Sequence, residues 1–120
     1  MKVAGLGFRA GATKAALNDA YLAAGGGADA LATSSHKSQA AVVSEFARDL
    51  NLPLLFIDSG DLTAQSTLTH SPRQLAQFGT GSVAEAAALA AAGPQASLLG
   101  PRSTSPCGMA TAAIAQGPNL

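Results

Sequence analysis

Short apolar runs alternate with longer helical stretches along most of this 120-residue chain. The segments predicted as strands are residues 2–7, 28–33, 53–57, 96–99 and 109–115. The segments predicted as helices are residues 13–24, 38–50 and 82–93. This alternation predicts an α/β fold of three layers, α/β/α, around a mostly parallel sheet of about five strands. A short loop separates the last two predicted strands, which predicts an antiparallel hairpin on one edge of the sheet. Residues 1–120 are expected to form a single domain.

Local signals mark where several of these helices begin and end. Thr13 stands at the start of the first helix, and Gly25 to Gly27 end it. Ser82 followed by Glu85 is a capping box for the last helix. Residues 62–81 show no clean periodicity and are predicted to form a short helical turn and a long loop.

Composition excludes several classes of protein. Seven basic and seven acidic residues give no net charge, which argues against a nucleic-acid-binding protein. Cys107 is the single cysteine, so no internal disulfide can form. The longest apolar stretch, 83–93, is too short to span a bilayer and contains Glu85. Since no secretory pattern is visible, the expected location is the cytoplasm, with no membrane attachment.

The stretch VAGLGFRAG, residues 3–11, places an arginine among three glycines at the end of the first predicted strand. A dinucleotide fingerprint requires its third glycine one residue earlier, and a P-loop ending is absent. Gly5, Gly7 and Gly11 could let backbone N–H groups approach a ligand, while Arg9 could hold a carboxylate or phosphate. A tight turn with a solvated arginine explains the same residues, and both interpretations stay open.

The stretch TSSHK, residues 33–37, follows the second predicted strand. Parallel strands end at the same edge of a sheet, so Lys37 would be a second cation beside Arg9, and Thr33 would lie at this edge. The alternative is that the serines cap a helix and that His36 and Lys37 are simply exposed. No metal-ligand spacing is present, so we predict no metal site and no cofactor.

Four further residues are candidates for binding or catalysis. Glu85 at a helix start is a candidate general base or a capping residue, and Ser82 has the same ambiguity. Asp58, in a polar loop predicted over residues 58–61 after the third strand, is a second candidate acid or base. Arg102, in the loop predicted over residues 100–108 before the last strand, would be a third cation if the hairpin reaches the same edge.

Five segments in order resemble a known family. They are GLGFRAG at 5–11, LAT with Lys37 at 31–37, LPLLF at 52–56, GSVAEAAALAAAG at 81–93 and TAAIA at 111–115. Together they resemble the CobE / CbiG C-terminal domain family of cobalamin biosynthesis over roughly residues 2–115. The length resembles the standalone CobE type, without the N-terminal sequence of the longer CbiG type.

The resemblance implies a precorrin-type tetrapyrrole as ligand. A precorrin is a flat macrocycle fringed with carboxylates. Arg9, Lys37 and Arg102 would hold these carboxylates, and Gly5, Gly7, Gly11, Thr33 and Ser82 would line the site. The implied role is that of a carrier or auxiliary factor, with other cobalamin-pathway enzymes as partners. An alanine-rich helix such as 83–92 could also pack against a second subunit, which would make a homodimer.

The main alternative is catalytic. In the family, CbiG is associated with opening the ring-A lactone of cobalt-precorrin-5A and releasing acetaldehyde. Glu85 or Asp58 would then activate water. Where the family often has an aspartate before the lysine, this chain has Ser35, and Gln39 and Ala40 stand where a later acidic residue is usual. These departures favour binding over catalysis. A small Rossmann-like domain that binds a nucleotide is a second alternative.

Overall fold

The computed structural model describes residues 1–37, 40–65, 67 and 82–117. Its strands are β1 (Lys2–Phe8), β2 (Ala30–Ser34), β3 (Leu54–Ile57), β4 (Ser97–Leu98), β5 (Ser103–Thr104) and β6 (Ala110–Gln116). The α-helices of the described residues are α1 (Lys14–Ala23), α2 (Ala41–Leu50), α3 (Ser59–Thr63) and α4 (Val83–Ala92), and Ser35–Lys37 form a 3-10 turn.

The sheet combines a parallel half and an antiparallel half. Its order is β3-β2-β1-β6-β4, with β5 also pairing with β6. β1 pairs in parallel with β2, and β2 with β3. β6 runs antiparallel to β1, β4 and β5. The predicted α/β class and the antiparallel C-terminal pairing are confirmed. However, β6 lies inside the sheet against the full length of β1, and only β4 and β5 lie at that edge.

Helices cover both faces of the sheet, which gives the predicted three layers. On one face, Leu6 and Leu31 pack with Leu17 of α1 and Phe46 of α2 in one buried cluster. On the other face, the buried cluster joins the following residues of β1, β2, α3 and α4: Val3, Ala30, Ala32, Leu62, Ala86 and Ala87. Alternate residues of β1 and β2 therefore serve opposite faces, as the period of a strand requires.

The α4 helix packs almost directly on the backbone of β1. A Cβ atom added at Gly5 would lie 1.9 Å from the carbonyl oxygen of Ala84 and 2.6 Å from the amide nitrogen of Ala88. Only a residue without a side chain fits at this crossing, and small residues on the helix allow the close approach. Residues 83–89 are all buried within the chain. They therefore offer no exposed face to a second subunit, and a homodimer stays a prediction without support from α4.

Two local expectations are corrected. Residues 58–61 were expected as a polar loop, but Ser59–Thr63 form the short helix α3. The amide N–H of Leu62 donates to the carbonyl of Asp58 and closes the first turn of this helix. The loop predicted over 100–108 contains the short strand β5, which completes the pairing of β6. The loop predicted within 62–81 lies mostly outside the described residues. In the part of the chain that is described, no helix has the length and apolar character needed to cross a membrane.

Candidate functional site

The carboxyl ends of β1 and β2 lie side by side and carry two cations. Arg9 directly follows β1, and Lys37 ends the 3-10 turn that follows β2. The Nζ atom of Lys37 lies 5.1 Å from the centre of the Phe8 ring, and Phe8 is the residue before Arg9. The sequence prediction that Arg9 and Lys37 share this end of the sheet is therefore consistent with the structure. We call Phe8, Arg9 and Lys37 the cationic edge.

Backbone hydrogen bonds fix the turn that carries Arg9. Its amide N–H donates to the carbonyl of Met109 at 2.9 Å, and its carbonyl accepts the N–H of Ala12 at 3.1 Å. Gly11 has a φ of +88°, which a residue with a side chain rarely adopts. The Arg9 side chain is exposed, and it forms no ion pair with any described residue. The turn thus presents, on a well-fixed backbone, a guanidinium that no described acidic residue neutralises.

The first helix begins immediately after this turn. The hydroxyl of Thr13 caps α1 by accepting the N–H of Ala16 at 3.1 Å, so the predicted helix start is confirmed. The first turn of α1 contains no acidic residue. Its partial positive charge is therefore not offset within the helix, which adds to the attraction of an anion at the cationic edge.

Two of the three glycines of this stretch have packing contacts that account for them without a ligand. Gly5 receives the backbone of α4, as described above. A Cβ at Gly7 would lie 2.7 Å from the hydroxyl oxygen of Thr111 on β6. That hydroxyl donates to the Gly7 carbonyl at 3.3 Å. Gly11 is the glycine whose conformation shapes the turn itself.

Thr33 and Ser34 are both wholly buried at the end of β2. The hydroxyl of Thr33 donates to the carbonyl of Leu6 on β1 at 2.8 Å. This bond ties the two parallel strands together just below the cationic edge. The contact gives Thr33 a structural role, and a direct contact with a ligand stays a prediction.

Glu85 is also wholly buried, and its contacts link α4 to the segment between β4 and β5. Its amide N–H donates to the Ser82 hydroxyl at 3.3 Å, which confirms Ser82 as the cap of α4. One carboxylate oxygen of Glu85 accepts the amide N–H of Arg102 at 2.8 Å. The carboxylate thus fastens the segment between β4 and β5 to the helix. A catalytic role for Glu85 stays a prediction.

Arg102 does not join Arg9 and Lys37. Ser103 is in register with Ala112, which pairs in turn with Leu6 of β1. Arg102 therefore lies two strands from β1, about 10 Å across the sheet, and short of the level where β1 ends. One guanidinium nitrogen, Nη1, is buried without a hydrogen-bond partner in the described part of the chain.

Asp58 stands at the end of β3, at the opposite side of β2 from β1. It is exposed, and its side chain makes no capping hydrogen bond to α3. Among the residues that the structure describes, no group of three or more His, Cys, Asp or Glu side chains is arranged to hold a metal ion.

Two residues near this edge have contacts that the sequence did not show. Phe8 contacts Lys37, and a strand pattern alone gives no sign of that pairing. Cys107 lies in the loop before β6, exposed, with its sulfur 3.4 Å from the hydroxyl oxygen of Ser105. Hydrogen bonds from Ser105 and from the backbone of Met109 lower the pKa of the Cys107 thiol below its usual value.

The comparisons agree with this α/β fold and its arrangement. The family model described as "Cobalamin synthesis G C-terminus" matches residues 2–115. A solved structure of CobE, a protein from the cobalamin (vitamin B12) biosynthetic pathway, is 31% identical and has a TM-score of 0.83. That match covers 96% of this chain and 92% of the CobE chain.

A second solved structure is that of the cobalamin biosynthesis protein chiG from Agrobacterium tumefaciens str. C58. It is 35% identical with a TM-score of 0.74, and the match covers 99% of this chain and 100% of the other. No curated protein sequence matches significantly. The protein is a small α/β domain of cobalamin biosynthesis. It belongs to the CobE/CbiG C-terminal domain family.

Proposed function

We propose that this chain binds a precorrin-type tetrapyrrole through the ligand's carboxylates, as a carrier or auxiliary factor of the cobalamin pathway. The observation that carries the proposal is the placement of Arg9 and Lys37 just after the carboxyl ends of two neighbouring parallel strands. Family membership indicates the cobalamin pathway, and the positive charges of Arg9 and Lys37 indicate binding of carboxylates. We place this binding in the cytoplasm, with other enzymes of the pathway as partners.

The geometry of the cationic edge supports carboxylate recognition. A guanidinium can donate two parallel hydrogen bonds to one carboxylate, and an ammonium can donate to a second. Arg9 forms no ion pair with a described residue, so a ligand carboxylate does not have to displace a protein carboxylate from it. The start of α1, whose first turn contains no acidic residue, adds a further favourable field. The zero net charge of the chain does not oppose this, because the attraction is local.

The candidate acids support binding rather than catalysis. Glu85 is buried and accepts the Arg102 N–H, so its carboxylate already has a structural partner. Asp58 follows β3, which is separated from β1 by β2. We therefore assign the cations to holding the ligand, without a bond-breaking step.

A binding measurement tests the proposal directly. The probe is cobyrinic acid, a corrin with free acetate and propionate groups, and cobinamide is the matched corrin whose side chains are amides. We expect Arg9→Ala and Lys37→Ala each to weaken cobyrinic acid binding by about tenfold, because each removes a charge-assisted hydrogen bond. Isothermal titration calorimetry measures the change.

Lys2→Ala is the control for this pair. It removes one exposed positive charge from the start of β1, about 20 Å from Phe8 along the strand. Binding is expected to stay within about twofold of the wild type, since the charge is beyond the Debye length. Equal losses for Lys2→Ala and Arg9→Ala, or wild-type binding in both edge variants, would contradict the assignment.

A second assay separates binding from catalysis. The protein is incubated anaerobically with a lactone-bearing precorrin, while absorbance and released acetaldehyde are followed. We expect a spectral shift that saturates at one ligand per chain, without acetaldehyde. Repeated turnover with acetaldehyde release would replace the proposal by the hydrolase alternative.

A further inference from the structure

We propose that Phe8 is a positioning residue of the cationic edge, whose ring holds the Lys37 ammonium at this end of the sheet. The inference rests on the proposed function for its ligand. It goes further by assigning a role to an aromatic side chain that would not itself bond to a carboxylate.

The geometry of the contact supports this role. Phe8 is the last residue of β1, so its backbone is fixed by pairing with Ala110 of β6. Its ring is partly buried and packs against the core cluster between the sheet and α1 and α2. The Lys37 Nζ atom lies over that ring at 5.1 Å, within the distance at which a cation is attracted to an aromatic face.

Unlike a carboxylate partner, the Phe8 ring leaves the charge and the N–H donors of Lys37 available to a ligand. An acidic side chain would neutralise the ammonium and compete with a ligand carboxylate. An aromatic face orients the cation but leaves its charge in place and its N–H donors able to bond elsewhere. Lys37 is half-buried and forms no salt bridge with a described residue.

The contact also lowers the entropic cost of binding. A lysine side chain has several rotatable bonds, and fixing its ammonium on a ligand removes that freedom. Because the ring already restricts Lys37, part of this loss occurs before the ligand arrives. Removing the ring should therefore weaken binding through Lys37, with Arg9 unaffected.

Substitution of Phe8 measures the effect. Phe8→Leu keeps an apolar side chain for the core and removes the aromatic face. We expect cobyrinic acid binding to weaken by about two- to fivefold, equivalent to about 0.4–1 kcal/mol. Phe8→Tyr keeps the face and should bind within about twofold of the wild type. Thermal denaturation shows that each variant is folded at the temperature of the titration.

A double-mutant cycle tests whether Phe8 acts through Lys37. In a Lys37→Ala background, Phe8→Leu should cause no further loss of affinity, because the cation that the ring positions is already absent. An equal loss in both backgrounds would mean that Phe8 contacts the ligand directly or supports the fold, and it would overturn the inference.

A measurement on the free protein separates this inference from the proposed function. The ε-methylene protons of Lys37 should resonate upfield of those of Lys2 because of the ring current, and Phe8→Leu should remove that difference. If the wild type binds no cobyrinic acid, the proposed function fails while this NMR test still decides the contact. If the Lys37 shifts are unchanged in Phe8→Leu, the inference fails even where binding is intact.

Discussion

Glu85 shows how one residue can fit two roles until its neighbours are known. The sequence motif of Ser82 and Glu85 predicts a helix cap, and the cap is present. The same carboxylate could have served as a base. Its partner is the amide N–H of Arg102, which lies 17 residues further along the chain. A backbone donor leaves no trace in the sequence, so this contact could not be predicted from residue types.

Removal of the Glu85 carboxylate should affect stability. Glu85→Ala leaves the Arg102 N–H without its acceptor and is expected to lower the free energy of unfolding by about 2 kcal/mol. Glu85→Gln keeps an oxygen that can accept the same N–H and should lose less. Urea denaturation followed by circular dichroism measures both.

Glu45→Ala provides the comparison for a glutamate at the surface. Glu45 is half exposed and lies 3.9 Å from Lys14, so its loss should change stability by less than about 0.5 kcal/mol.

If the wild type releases acetaldehyde from a lactone-bearing precorrin, a Glu85→Gln variant that is equally stable but releases none would instead identify Glu85 as a catalytic residue.

At the scale of elements, the order of strands and helices could be predicted from periodicity, but the distances between them could not. Glycines at Gly5 and Gly7 are compatible with a ligand cradle or with close packing, because both require a position without a side chain. The structure shows α4 lying against Gly5 and Thr111 lying against Gly7. Only the element that packs against each glycine distinguishes the two explanations, and the sequence does not identify that element.

Gly5→Ala should disrupt the contact between β1 and α4. The added Cβ would overlap backbone atoms of Ala84 and Ala88, which cannot move aside as a flexible side chain can. We expect a loss of at least about 3 kcal/mol in the free energy of unfolding, or failure to fold. Chemical denaturation, or the yield of soluble protein, measures the effect.

Gly60→Ala is the matched glycine substitution. Gly60 lies in α3, and a Cβ there meets no atom within 4 Å. Since alanine favours a helix over glycine by about 1 kcal/mol, this variant should be as stable as the wild type or slightly more stable. If Gly5→Ala were tolerated equally well, the close packing of α4 on β1 would be refuted.

At the scale of the whole molecule, topology decides which cations meet. The parallel order of β1 and β2 brings Arg9 and Lys37 to one end of the sheet, as the sequence predicted. The insertion of β6 beside β1 moves Arg102 two strands away. A strand's apolar pattern does not reveal which neighbour it pairs with, so the third cation could not be placed in advance.

This arrangement predicts a difference between the salt dependence of binding and that of folding. Raising the salt concentration from about 0.1 M to about 1 M shortens the Debye length from about 10 Å to about 3 Å. Arg9 is exposed and Lys37 is half-buried, so cobyrinic acid binding should weaken several-fold, while binding of cobinamide should change little.

The free energy of unfolding should stay nearly constant, because the chain has no net charge and its core clusters are apolar. Calorimetric titrations and urea denaturation at both salt concentrations provide the comparison. Salt-independent binding of cobyrinic acid would show that ring stacking, rather than the two cations, holds the ligand.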